Sequence, residues 1–460
     1  MSDAADYLVI GAGATGLAFT DSLVCESDVE VVLVDRREGV GGHWRDSYPF
    51  VRLHTASTFY GVNSLRLGED RITQDGHNAG YYEQASGTEV TEYFEQVLNE
   101  RLLATCRVRL LAQHELLGHD EGQAQVRDCV TNEVRTIQVR RRVVDARYQE
   151  ASIPATHAPT FAIDPDAAFV PVGALPSAAQ DYARYTVIGG GKTAADACLW
   201  LLDNAVDPDR IRWIRPREMW FTDRATMQPL DKVASLMGGI ADEAEGGASA
   251  LDLTDLCHRL EECGRFLRLD RSLEPTMYRG TMLSRSEAAA LRQVRDVVRL
   301  GHVRGVHAHR VVLDQGEIVT GADVLHVDCS ARGLAASPEK PIFAPGVLTL
   351  QQVRHNSPTF NAAFLGFVEA HRDDDVTKNR LCPPNAYAST SADLARMLSR
   401  TWQTEASWQR EPDIAAWVAD SRLNLLKGVR DRFANPQVRD AAKRFVTHVD
   451  EAVKRLPQLV

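Results

Sequence analysis

One local design occurs twice in this chain, and it restricts the fold more than any other feature. The stretches VIGAGATGLAFTDSL (residues 9–23) and YTVIGGGKTAADACLWLL (residues 185–202) each run from a β-branched apolar segment through clustered glycines into apolar residues at helical spacing. Such a unit reads as a buried strand, a tight turn and a helix packed back on the strand. In the first copy Tyr7 to Ile10 supply the strand. Gly11 permits the turn, Gly13 lacks the Cβ that would hold a pyrophosphate away, and Gly16 lets the helix close on the strand. The helix start then offers unpaired N–H groups to phosphate. A second strand, Val31 to Val34, ends at Asp35, 19 residues beyond Gly16. There an acid meets a ribose hydroxyl, with Arg36 beside it. A glycine turn in an ordinary α/β domain is the plain alternative, but strand, glycines, helix, second strand and acid all fall in the required order.

The second copy places Gly189, Gly191 and Ala194 at the three glycine-type positions, with Lys192 and Thr193 between them. Its next strand, Ile211 to Ile214, ends in Arg215, 21 residues beyond Ala194, with Arg217 close behind. An acid there would repel a ribose 2′-phosphate, whereas an arginine can grip it with two N–H groups. The first site therefore suits FAD or NAD and the second NADPH; a solvated surface charge is the other reading of Arg215. Two dinucleotides on one chain point to hydride transfer from one to the other, which requires reacting atoms about 3–3.5 Å apart.

The chain has 460 residues, enough for two or three domains, with 63 acidic residues against 52 Lys and Arg. No basic run forms a nucleic-acid patch and no apolar run reaches membrane-spanning length. The first strand begins with no positively charged segment before it, so no signal peptide is expected. The eight cysteines are scattered without a Cys-x-x-Cys pair. That fits a reducing, cytoplasmic setting and argues against a zinc ribbon. No His or carboxylate grouping has metal-ligand spacing, and none is assigned to a metal; His307 and His309 read as a solvated face.

The expected fold is α/β: two Rossmann-like dinucleotide-binding domains with a helical insertion and a helical C-terminal tail. Residues 1–150 and 320–385 form the first domain. Residues 184–319 form the second, with a helical insertion at 226–291 around a glycine-rich loop, ADEAEGGASA. Residues 386–460 are helical and offer a surface for a partner or a second copy of the chain. The Pro- and Ala-rich stretch from Glu150 to Pro176 crosses between the domains.

With GVGGHWRDSYPFVRLHTASTFYG in view, the chain resembles the class B flavin-dependent monooxygenases. Gly41, Gly42 and Trp44 look like that family's Gly-Gly-x-Trp, followed by Tyr48-Pro49. The resemblance implies FAD and NADPH as cofactors, a small organic substrate and molecular oxygen. It puts Gly42 and Trp44 near the flavin and Arg52 to Ser57 near its reactive ring, which makes Arg52 and His54 the catalytic candidates. His54 can equally be a histidine satisfied by a backbone carbonyl, and Trp44 is a packing platform. VVDARY and VDCSARGL look like the strand ends where such chains move between domains. Ser357-Pro358 reads as an N-cap and first helical position, the helix start facing the flavin. The chain lacks the family's Gly-Asp before the last flavin-contacting helix, and it departs further in Phe-x-Gly-x-x-x-His between the two glycine motifs, where only His157 stands. That departure favours an FAD-dependent NAD(P)H dehydrogenase or oxidase without oxygen insertion. A non-enzymatic sensor of nucleotide redox state is the third reading.

Overall fold

The computed structural model describes residues 4–120, 122–331, 333–334 and 337–460. Each glycine unit starts the central strand of its own parallel sheet. In the first sheet Ala4–Ile10 lies between Val31–Asp35 and Val134–Asp145, parallel to both. Val108–Ala112 extends it on one side and Val347–Thr349 on the other. In the second sheet Arg184–Ile188 lies between Ile211–Ile214 and Val324–Asp328, again parallel. Asp296–Val298 and Phe169–Pro171 extend it. Central strands that are parallel and covered on both faces must be apolar throughout; the central strands of the two sheets are largely inaccessible to solvent.

Four strands of each sheet follow the same order, and this corrects the expected boundary at residue 320. Val324–Asp328 is the counterpart in the second sheet of Val134–Asp145 in the first, so the chain leaves the second domain only after Asp328. The strand ends at Asp145 and Asp328 are the two crossing points. The segments leaving them pair antiparallel, Gly333 opposite Ser152 and Leu334 opposite Ala151, as a short ribbon between the domains. Arg332, within the quoted VDCSARGL, lies outside the described residues.

The insertion carries the expected helices and adds strands to them. Met219–Asp223 pairs with Phe266–Leu267 and with Met277–Leu283, while helices Val233–Ser249 and Leu253–Glu262 pack beside them. The expected loop ADEAEGGASA is the second half of helix Val233–Ser249. Its glycines are explained by packing: a Cβ on Gly247 would stand 3.0 Å from Leu456 Cγ, and one on Gly246 3.3 Å from Leu256 Cδ1. Small residues there let the C-terminal helix Pro436–Arg455 and the turn after it lie close. Residues 386–460 are helical as expected, with Ser391–Trp408, Pro412–Asp420 and Pro436–Arg455. Among the described residues no helix is long and apolar enough to cross a membrane.

Candidate active site between two nucleotide loops

Both glycine loops open into one cavity of about 1170 Å³ at the C-terminal ends of the two sheets. This is where open α/β sheets bind ligands. In the first loop Gly11 has φ +103°, which only glycine adopts without strain. A Cβ on Gly16 would lie 1.9 Å from the Gly11 carbonyl oxygen, so the close helix approach requires glycine. Gly13 faces Gly42, whose Cα would be 3.5 Å from a Gly13 Cβ. Two bare backbones thus meet at the head of helix Ala14–Glu26, leaving a cradle that side chains would fill. The Asp35 carboxylate accepts from Ala12 N (2.7 Å) and Arg37 N (2.9 Å) at the cavity wall. Arg36 also lines the cavity and pairs with Glu150 at 2.8 Å.

Trp44 lines the same wall, its Nε1 donating to Tyr60 Oη at 2.8 Å. From outside, Arg422 of the C-terminal region donates to the carbonyls of Thr58, Tyr60 and Val62, holding that wall in place. Arg52 lines the cavity and donates to the Gln84 carbonyl at 2.8 Å. His54 also lines it. Burial, with the cations Lys192 and Arg224 nearby, pushes its imidazole down to about 3, so the ring is neutral at physiological pH. The His54 carbonyl accepts from buried Arg224 (3.1 Å), which also pairs with Glu287 at 2.6 Å and ties the first domain to the insertion. Arg224 carries no motif that marks it, because a lone charged residue just before the insertion reads as solvated.

In the second loop Gly189 has φ +138°, and a Cβ there would stand 2.7 Å from the Cys329 carbonyl oxygen. A Cβ on Gly191 would meet nothing within 4 Å, so the loop is open beside the head of helix Lys192–Asp203. Thr193 lines the cavity and Ala194 is buried beneath it. Two of the charges expected here are differently engaged. Lys192 pairs with Asp196 one turn along its helix. Arg215 is buried and absent from the cavity wall: it pairs with Glu218 at 3.0 Å and stacks over Trp213 at 4.8 Å. The cause is strand parity. Arg215 N continues the sheet by donating to Val298 O, so its side chain falls on the same face as Trp213, two residues back. Arg217, two residues further on, is exposed, lines the cavity and makes no ion pair or hydrogen bond with the described residues. Arg279, on strand Met277–Leu283, lines the cavity near it.

Helix Pro358–His371 presents Pro358, Asn361 and Ala362 to the cavity. Pro358 occupies the first turn as expected, but Ser357 gives no side-chain cap; its hydroxyl is buried without a hydrogen-bond partner among the described residues. Asn361 instead holds the entry, accepting from Arg354 N and donating to Arg354 O. Among the described residues no group of three or more His, Cys, Asp or Glu could hold a metal ion.

Two parallel nucleotide-type sheets, a ribbon between them and a shared cleft make up a fold also found in solved monooxygenase structures. The architecture matches cyclohexanone monooxygenase from Rhodococcus sp. Phi1 bound to NADP+ with a TM-score of 0.51 and 16% identity, over 82% of this chain and 85% of that one. It matches the ε-caprolactone-bound cyclohexanone monooxygenase in its Loose conformation at 0.51 and 15% identity, over 98% of each chain. Residues 9–63 match the NAD(P)-binding Rossmann-like domain family. The chain belongs to the same family as the uncharacterized protein Rv2000 of Mycobacterium tuberculosis, with 40% identity over 98% of this chain and 84% of that protein. Uncharacterized protein Mb2023 of Mycobacterium bovis matches to the same extent.

Proposed function

We propose that this protein is an NADPH-dependent FAD monooxygenase acting on a small organic substrate. The observation that carries this reading is the single cavity walled by both glycine loops. FAD fits the first loop: the Gly13–Gly42 cradle takes its pyrophosphate, Asp35 its ribose, and the Trp44–Tyr60 wall borders its ring system. NADPH fits the second: Gly191 and the head of helix Lys192–Asp203 take the pyrophosphate, and Arg217, with Arg279 near it, takes the 2′-phosphate in place of Arg215. When bound, the nucleotide pair supplies hydride transfer followed by oxygen activation at the reduced flavin. The chain supplies position and field. The start of helix Pro358–His371 favours negative charge on a reduced flavin beside it. Neutral His54 offers one ring nitrogen as donor and the other as acceptor, and Arg52 keeps a fixed positive charge at the cavity.

Rapid mixing of the NADPH-reduced protein with oxygen tests the reading. A flavin–oxygen adduct band that persists before decay supports it. Immediate reoxidation with stoichiometric peroxide refutes oxygen insertion and leaves an NAD(P)H dehydrogenase or oxidase. The missing Phe-x-Gly-x-x-x-His signature favours that second reading.

A further inference from the structure

Residues 41–54 belong to the first domain in sequence but serve both. Gly42 closes on Gly13 at the first glycine loop. Arg52, Leu53 and His54 line the shared cavity. Between them, Tyr48 and Phe50 leave their own domain and pack against the core of the second. Tyr48 Oη donates to Asp196 Oδ2 at 2.7 Å, while the other carboxylate oxygen of Asp196 pairs with Lys192 of the second glycine loop. The Phe50 ring stacks on Trp200 with centroids 5.6 Å apart, and the Tyr48 ring leans on Phe50 at 4.8 Å. Asp196 and Trp200 lie on the helix whose head carries the second nucleotide loop, one turn apart on one face. The Tyr48 phenol is protonated far into the alkaline range, because burial and Asp196 both disfavour the phenolate. The phenol therefore remains a hydrogen-bond donor at neutral pH.

We infer that the strap 47–51 sets the spacing between the two nucleotide loops, and that Tyr48 is the positioning residue that fixes the flavin and the nicotinamide at hydride-transfer distance. This rests on the two-nucleotide reading above. The step it governs breaks the C4–H bond of the nicotinamide and forms an N5–H bond on the flavin, two electrons and one proton moving together, so that NADPH becomes NADP+ and no further reactant is needed. The ribbon at Ala151–Ser152 and Gly333–Leu334 is only two residues long on each side. The segment 41–54 meets the first loop at Gly42 and, through Tyr48 and Asp196, the helix that carries the second, and hydride transfer is steeply sensitive to placement.

The test uses the full-length flavin-loaded protein and two variants, Tyr48→Phe and Asp196→Asn. Tyr48→Phe removes one oxygen atom and keeps the ring contacts. Its FAD content and its affinity for NADP+ are expected to stay within twofold of the parent. Its limiting rate of anaerobic flavin reduction by NADPH should fall about 10- to 100-fold, as expected for an ångström-scale misplacement. NADPH deuterated at the transferring C4 should then give a larger isotope effect. The long-wavelength charge-transfer absorbance that NADP+ induces in dithionite-reduced protein should weaken in parallel, a readout independent of turnover. Asp196→Asn, which keeps an acceptor for Tyr48 but loses the ion pair with Lys192, should lie between the two. A Tyr48→Phe protein that reduces at the parental rate with an unchanged charge-transfer band overturns the inference, even if its melting temperature falls. A parent protein that binds no flavin, or is not reduced by NADPH, overturns the two-nucleotide reading and this inference with it. The two failures are distinguishable because only the second appears in the unmutated protein.

Discussion

The exchange of Arg215 for Arg217 as the 2′-phosphate ligand can be tested by a pair of alanine substitutions with opposite signatures. Arg217 is exposed at the cavity wall, with no ion pair or hydrogen bond among the described residues. Removing it breaks nothing in the folded protein. A hydrogen bond to a charged group is worth about 1.5–3 kcal/mol, and the exposure of Arg217 with salt screening places this one toward the lower end. Arg217→Ala should therefore weaken NADPH binding about 10- to 30-fold at 0.1 M salt, leave NADH binding unchanged and leave the melting temperature unchanged. Arg279 stays in place and preserves part of the preference. Arg215 is the reverse case. Its side chain is 6% exposed and its partner Glu218 is 10% exposed. Breaking a buried pair costs about 3–5 kcal/mol, but Glu218 keeps a second partner in Arg299 at 2.8 Å. Arg215→Ala should thus lower stability by about 2–4 kcal/mol and affect NADPH and NADH alike. The assays are equilibrium titrations of the flavin-loaded protein with each nucleotide, and urea unfolding. Selective loss of NADPH in Arg215→Ala, with equal changes for both nucleotides in Arg217→Ala, would refute the exchange.

Two further outcomes follow from the site. Gly16→Ala forces a Cβ to within 1.9 Å of the Gly11 carbonyl oxygen, so the helix must move off its strand; the purified protein should be colourless, and a normal flavin spectrum would contradict the role given to this loop. His54 is held neutral in the folded protein, with its imidazole pushed down to about 3. Its unfolded form takes up a proton below about pH 6.5, so folding loses stability as pH falls from 6.5 toward 3 and gains none above 6.5. The slope is up to about 1.4 kcal/mol per pH unit for this one group. His54→Gln should flatten the dependence of unfolding free energy on pH by one proton between pH 4.5 and 6, and an unchanged slope would show that the ring is solvated and freely titrating.

Much of this architecture was legible because it is local. Strand, glycines and helix sit within about fifteen residues of each other, and steric rules dictate what glycine does at Gly11, Gly16 and Gly189. The helical C-terminal region was visible in its periodicity, whereas the crossing points at Asp145 and Asp328 were visible only through the family resemblance. What escaped was settled by tertiary partners. Arg215 turns inward because Trp213 and Glu218 wait on that face, and no count of residues from Ala194 reveals strand parity beyond the last paired residue. The run ADEAEGGASA reads as a loop until Leu456, some 210 residues away, is seen to need the space above Gly247. Val324–Asp328 was given to the first domain because a buried strand does not name its neighbours. Tyr48 and Phe50 follow a glycine motif of the first domain, and nothing local shows that they pack in the second.

The charge along the cavity wall gives one more reason to place the phosphate-rich nucleotide on the second loop. The acids that line it, Asp35, Asp46, Glu115, Asp145 and Glu150, all come from the first domain and the start of the crossing segment. Four of them are held in pairs with Arg37, Arg127, Arg147 and Arg36. Beyond Glu150 the described lining residues include no carboxylate, while Lys192, Arg217 and Arg279 contribute positive charge. A cleft with one sign of charge at one end focuses its field on an oppositely charged ligand. A nucleotide with a 2′-phosphate carries the greater negative charge and is drawn to the second end, whereas a ribose with free hydroxyls suits Asp35 at the first. The asymmetry thus orders the two sites electrostatically, while strap 47–51 fixes how far apart they lie.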